Sequence, residues 1–145
     1  MDNMIARIVL DTNVLVAASR SRHGASFALL HAVRQRRLRP LASVPLMLEY
    51  EAVLKRCAHE AAFRAVPVDT FLDALSLFIE PVTLHYLWRP QLPDPSDEMV
   101  LETALNGRAD ALVTHNVADF AAAAKRFALP LLAPRQLVSS WHEDL

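Results

Sequence analysis

Short apolar runs alternating with helical segments constrain this chain more than any other feature. Arg7 to Leu10 is β-branched and apolar and stops abruptly at Asp11. Leu38 to Ala42 (despite Pro40), Val82 to Leu84, Ala111 to Thr114 and Pro130 to Leu132 read as further short strands. Between them, apolar residues recur at helical spacing. Phe27, Leu30 and Val33 do so in a helix of about residues 25–36; Leu46, Met47, Tyr50, Val53 and Leu54 follow the helix start at Ser43 and Pro45. Phe63, Phe71, Leu72, Leu75 and Phe78 mark two helices separated near Pro67. Thr12-Asn13 opens a helix after the first strand, and Ser96 is expected to cap one that runs to about Asn106 and ends at Gly107. A shorter helix is expected near Asp119 to Phe127 and a last one from Pro134 to about Trp141. Strands that alternate with helices pair in parallel and need cover on both faces. The prediction is an α/β fold: a three-layer α/β/α sandwich around a twisted, mostly parallel sheet of about four or five strands, with residues 1–145 as one domain.

Composition narrows the function classes. With 145 residues, 53% of them hydrophobic, the chain can bury one real core. A single cysteine, Cys57, excludes an intramolecular disulfide framework and a zinc ribbon. Only Gly24 and Gly107 are glycines, so neither a P-loop nor a GxGxxG phosphate loop can be written. No signal-peptide layout opens the sequence, and no apolar stretch is long enough for a membrane span, so a cytoplasmic protein with no membrane partner is expected. A net charge of −1 hides an asymmetry. Residues 1–40 carry seven arginines against Asp2 and Asp11; residues 41–145 carry eight basic and fourteen acidic residues. Arginine's planar fork suits phosphate oxygens, although a solvated surface is the plainer reading of any one of them.

In parallel sheets, ligands sit at the carboxyl ends of the strands. Asp11 follows the first strand. Thr114-His115-Asn116 ends a later one, with Asp119 three residues further, and Asp97 starts the helix that feeds it. Glu49 lies between Leu48 and Tyr50; Glu51, two residues on, faces another side. Each acid has an ordinary use: Asp11 and Asp119 as helix caps, Asp97 in a first helical turn, Glu49 as surface charge. Jointly, Asp11, Glu49, Asp97 and Asp119 describe a carboxylate pocket, whose mutual repulsion a cation must offset. All-oxygen ligands suit Mg²⁺ or Mn²⁺, and carboxylate-held Mg²⁺ cuts phosphodiesters.

These segments resemble the motifs of PIN-domain ribonucleases. Ile8-Val9-Leu10-Asp11-Thr12-Asn13-Val14-Leu15 looks like the family's opening signature. Leu48-Glu49-Tyr50-Glu51-Ala52-Val53-Leu54 resembles the helix bearing its glutamate, with Glu49 in register. Asp94-Pro95-Ser96-Asp97-Glu98-Met99-Val100-Leu101 resembles the third acidic motif, and Leu112-Val113-Thr114-His115-Asn116-Val117-Ala118-Asp119-Phe120 the fourth. The likeness spans residues 5 to about 138 and is nearest to the VapC-like toxins of bacterial toxin–antitoxin systems. It implies a PIN-like fold and an endoribonuclease in which Asp11, Glu49 and Asp97 hold Mg²⁺ or Mn²⁺ and Asp119 completes the site. Thr12, Asn13, Thr114 and Asn116 would orient carboxylates or water. Arg20, Arg22, Arg34, Arg36, Arg37 and Arg39 would hold the RNA backbone. A cognate antitoxin and a homodimer are implied as partners. One departure stands out: many members carry aspartate where this chain has Asn116. Asp94, Glu98 and Glu102 are near enough in sequence to compensate.

Two other chemistries and one non-enzymatic role compete. A haloacid-dehalogenase-type phosphatase wants a second aspartate two residues after the first, where Asn13 stands, and a lysine near the later acidic motif, where there is none. A receiver domain wants a lysine after the last strand, where Pro130-Leu131-Leu132-Ala133-Pro134 stands. A PIN fold that binds RNA or protein without cutting is kept alive by Asn116. His115 reads as a hydrogen-bonding loop histidine, with assistance to a proton transfer as the alternative, Cys57 as a packed or partly exposed thiol, and Tyr86 and Trp88 as residues packed against the sheet edge, with stacking on a base as the alternative.

Overall fold

The computed structural model describes residues 6–143. Asp2 and Ile5, used in the charge count and at the start of the resemblance, lie outside them. Five parallel strands form the sheet: β1 (Ala6–Leu10), β2 (Leu38–Ala42), β3 (Glu80–Pro81), β4 (Ala111–Val113) and β5 (Leu131–Leu132), in the order β3-β2-β1-β4-β5. β1 lies at the centre, with Val9 opposite Leu112 of β4 and Arg7 opposite Arg39 of β2. Ile8, Val9, Leu10, Leu112 and Val113 are all fully buried, as central parallel strands covered on two faces must be.

Helices α1 (Thr12–Arg20) and α2 (Ala25–Arg34) join β1 to β2. Helices α3 (Val44–Arg56), α4 (Ala61–Ala65) and α5 (Val68–Ser76) join β2 to β3. A 3-10 turn at Pro95–Asp97 and α6 (Glu98–Asn106) lead to β4; α7 (Val117–Arg126) leads to β5, and α8 (Pro134–Glu143) follows. The steps from β1 to β3 run one way across the sheet and those from β3 to β5 run back. Right-handed crossovers therefore put the two sets of helices on opposite faces. Accordingly α6 lies across β1, β2 and β4, while α1 packs on α2 and α3, and α2 on α8. The three-layer α/β/α sandwich expected from the alternation is the fold observed.

Three boundaries differ from expectation. β3 sits at Glu80–Pro81, earlier than the apolar run Val82 to Leu84, and there Glu80 meets Arg39 of the adjacent β2 at 3.7 Å and reaches across to Arg7 of β1 at 2.5 Å. Ser96 does not cap α6. Asp94 accepts the Ser96 N–H at 3.0 Å and caps the 3-10 turn instead, and α6 starts behind Asp97. α7 starts at Val117, so Asp119 lies inside its first turn rather than at its cap.

With so few glycines, the junctions from α2, α6 and α7 into the next strands place ordinary residues in the left-handed region: Arg36 (φ 60), Arg108 (φ 51) and Ala128 (φ 55). Each junction closes with the same six-to-one hydrogen bond: Arg37 N–H to Ala32 O (2.9 Å), Ala109 N–H to Ala104 O (3.0 Å) and Leu129 N–H to Ala124 O (2.8 Å). Gly107 serves a different need. A Cβ there would stand 2.8 Å from Val82 Cγ2 and 3.1 Å from Leu41 Cδ1, so only glycine lets α6 end this close to the sheet.

Candidate active site

The chain leaves β1 and β4, which are neighbours, in opposite directions, and such a switch point opens a crevice at their carboxyl ends. Asp11 stands in it. Its backbone N–H donates to Val113 O at 2.9 Å, which ties the end of β1 to β4. One of its carboxylate oxygens accepts the Thr12 N–H and the other the Thr114 hydroxyl, both at 2.7 Å. Helix α3 is drawn to the same place by Tyr50, whose buried hydroxyl donates to Leu10 O. The preceding residue, Glu49, thereby faces the crevice, while Glu51 turns away to Lys55. Asp97 arrives from the turn before α6. Asp11, Glu49 and Asp97, far apart in sequence, line one cavity of about 220 Å³ together with Thr12, Asn13, Ser96 and Asn116.

Electrostatics record the crowding. Burial first, and then the charges of Asp11, Asp94, Asp119 and Glu49, push the Asp97 carboxyl up to about 6. Burial also raises Asp11, which is 4% exposed, against the lowering effect of the Thr114 and Thr12 hydrogen bonds. Burial and the Asp11 charge push the Tyr50 hydroxyl upward, so it remains a proton donor to Leu10.

A polar frame braces the carboxylates. Thr114 Oγ1 also accepts the Asn116 N–H at 2.9 Å and lies 3.4 Å from the Asn13 amide nitrogen, while Asn13 Oδ1 accepts the His115 N–H at 3.2 Å. His115 Nε2 is 2.8 Å from Ser26 Oγ at the start of α2. Tyr50 and Ser26 escaped the sequence reading. Tyr50 carries only the signal of an apolar helix face, and Ser26 carries none.

Other expected residues fall elsewhere. Asp119 is exposed at the rim: its charge reaches Asp97, but it does not line the cavity. Glu98 and Glu102 do not compensate for Asn116. They are 2% and 1% exposed, and with Asn106 they hold the preceding loop against α6. Glu98 accepts the Leu92 N–H at 2.8 Å and Glu102 takes two bonds from Arg89 at 2.8 and 2.9 Å. Asp94 is spent on capping Ser96. Since Ser26 lies by His115, the start of α2 is at the carboxylate end, near Arg22, which is exposed. Arg34, Arg36, Arg37 and Arg39 gather at the far end of α2, at the amino end of the strands, roughly 15 Å away along that helix. Arg20 pairs with Glu60 at 3.1 Å. Tyr86 is exposed rather than packed on the sheet edge, and Trp88 packs on Phe127 behind α7.

The donor set, carboxylates with amide and hydroxyl oxygens, fits a hard divalent cation and not a soft one. Among the described residues no three acidic, histidine or cysteine side chains form a ready-made ligand cluster. Asp11, Glu49 and Asp97 instead line a cavity with room for an ion and several waters, so water would complete any ion's shell, as suits Mg²⁺.

Comparison with known proteins agrees with this geometry. The family model described as PIN domain matches residues 7–118. No curated protein matches the chain. Among solved structures, a chain of VapBC2 from Rickettsia felis, bound to a DNA fragment from their promoter, superposes with a TM-score of 0.58 at 15% identity, covering 88% of this chain and 98% of that one. A chain of FitAB bound to the IR36 DNA fragment gives 0.55 at 16% identity, covering 88% and 94%. Among the described residues no helix is long and apolar enough to cross a membrane.

Proposed function

We propose that this chain, which belongs to the PIN-domain family, is a divalent-metal-dependent endoribonuclease and the toxin of a toxin–antitoxin pair. The observation that carries the nuclease reading is the meeting of Asp11, Glu49 and Asp97 at one crevice, with the Asp97 carboxyl raised to about 6 by its neighbours and by burial. On this reading those three residues hold Mg²⁺ or Mn²⁺ and Asp119 extends the site from the rim. When bound, the ion supplies Lewis acidity that makes water nucleophilic near neutral pH and offsets phosphate charge. The chain's own residues do the positioning. Thr12 N–H and Thr114 hydroxyl fix the Asp11 carboxylate, Tyr50 sets the depth of α3 and hence of Glu49, and Asn13 and Asn116 hold the Thr114–His115 loop. Arg22, exposed at the carboxylate end, is the arginine best placed for the RNA backbone.

The likeness to chains of the VapBC2 and FitAB complexes supports a protein partner, an antitoxin encoded nearby, and a cytoplasmic homodimer fits the same reading. A second reading, a PIN fold that binds without cutting, is favoured by the uncharged Asn116 at the cavity wall and the peripheral Asp119. Cleavage of single-stranded RNA with Mn²⁺ or Mg²⁺, with EDTA and with Asp11→Asn decides between them. Metal-dependent cutting lost in the variant supports the nuclease. No cutting by folded protein at saturating Mn²⁺ leaves the binding module.

A further inference from the structure

We propose that Tyr86 and Trp88 form a second RNA-contacting surface, which stacks bases of single-stranded substrate some distance from the cut; this rests on the ribonuclease reading. Tyr86 and Leu87 are 66% and 64% exposed in the stretch leading into the proline loop. They are adjacent in the chain, and it is contiguous exposed apolar surface, not single exposed residues, that marks a contact surface. The rings of Tyr86 and Trp88 are 5.8 Å apart, Trp88 continues to Phe127 at 5.6 Å, and the Arg126 guanidinium lies 6.0 Å from the Phe127 ring. Arg126 also reaches Gln91 O at 3.5 Å, so aromatic faces and a cation share one patch.

The support beneath is rigid. Asn106 accepts the His85 and Tyr86 N–H groups at 2.9 and 3.0 Å and donates to Tyr86 O at 2.9 Å. Arg89, with two bonds to buried Glu102, pins the next turn of loop and neutralises that carboxylate. An exposed Tyr86 ring, backed by half-buried Trp88 on a pre-ordered backbone and flanked by a guanidinium, matches a polyanion carrying flat bases, the combination single-strand binders use.

Distance gives the proposal a register. Asn106 lies nine residues along α6 from Asp97, about 14 Å at 1.5 Å per residue. That is about four nucleotides of stacked strand at roughly 3.4 Å each. The loop that runs from Tyr86 past Gln91 to Asp97 is the path between the two places.

The test is fluorescence anisotropy of the full chain in EDTA with a labelled single-stranded RNA of about twelve nucleotides. Tyr86→Ala is expected to weaken binding about fivefold or more, Tyr86→Phe less than about twofold, and Arg126→Gln about threefold. An abasic nucleotide about four positions from the cut should weaken binding to the wild type and add nothing to Tyr86→Ala, a coupling that a merely structural role would not produce. If the wild type binds and Tyr86→Ala binds equally well, this surface is wrongly assigned while the ribonuclease reading stands. If Tyr86→Ala keeps its RNA affinity but loses a protein partner, the surface is a protein dock and the proposal fails. If the wild type binds no single-stranded RNA in EDTA, this proposal fails, while the ribonuclease reading is decided by the Mn²⁺ cleavage assay.

Discussion

Replacing Asp97 by Asn should stabilise the metal-free protein while removing its response to metal. The Asp97 carboxyl rises from 3.8 to about 6 because burial and four neighbouring carboxylates disfavour its charge. At ~1.4 kcal/mol per unit, that is a destabilisation of up to about 3 kcal/mol at neutral pH. Asp97 is only partly buried, so solvent screening reduces this to about 1–2 kcal/mol. The Asp97 side chain makes no capping hydrogen bond to α6, so Asn forfeits only the favourable charge at the helix N-terminus, roughly 0.5 kcal/mol. The net gain expected is about 1 kcal/mol, or some 2–4 °C in Tm for a domain of this size. The pH dependence has a definite sign. A carboxyl whose folded pKa lies above its unfolded one keeps its proton more readily in the folded state, so its contribution to stability falls as pH rises from about 4 to about 6. Burial shifts Asp11 in the same direction. Thermal unfolding in EDTA at about pH 5 and about pH 7.5 should therefore show a Tm advantage of Asp97→Asn that is larger at the higher pH. Added Mn²⁺ should then raise the wild-type Tm and leave the variant nearly unmoved. An advantage that is absent at neutral pH, or greater at about pH 5, would refute the claim that these carboxylates repel one another.

Two further outcomes test the supports of the site, beside the cleavage and RNA-binding experiments above. Arg89→Ala leaves Glu102, 1% exposed, without its two hydrogen bonds; a loss of about 2 kcal/mol or more is expected in urea unfolding, and Glu102→Gln in the same background should recover part of it. Ala128→Gly relieves a left-handed residue at φ 55 and should raise stability by up to about 1 kcal/mol, read as a higher urea midpoint at unchanged slope.

The alternation of apolar runs with helical segments determined the layered α/β fold by itself, because parallel strands covered on both faces must be apolar and the helices over them must be amphipathic. The same logic made Asp11 conspicuous: a carboxylate ending the strand Ile8-Val9-Leu10 has to be capped, paired or functional. Strand order was out of reach of any local pattern. It depends on which strands exchange hydrogen bonds, and only the order β3-β2-β1-β4-β5 brings Thr114 to within 2.7 Å of an Asp11 oxygen. The fate of the acids in Asp94-Pro95-Ser96-Asp97-Glu98 shows the divide most plainly. As a string they are alike, but the turn at Pro95–Asp97 aims Asp97 at the crevice, sends Glu98 inward to the Leu92 N–H and leaves Asp94 as a cap. The arginines at positions 34–39 are a cluster in sequence, and α2 carries them to the end of the sheet away from the carboxylates. Residue type and spacing set which groups are available; which of them meet is decided by long-range packing, whose partners here lie up to about a hundred residues apart.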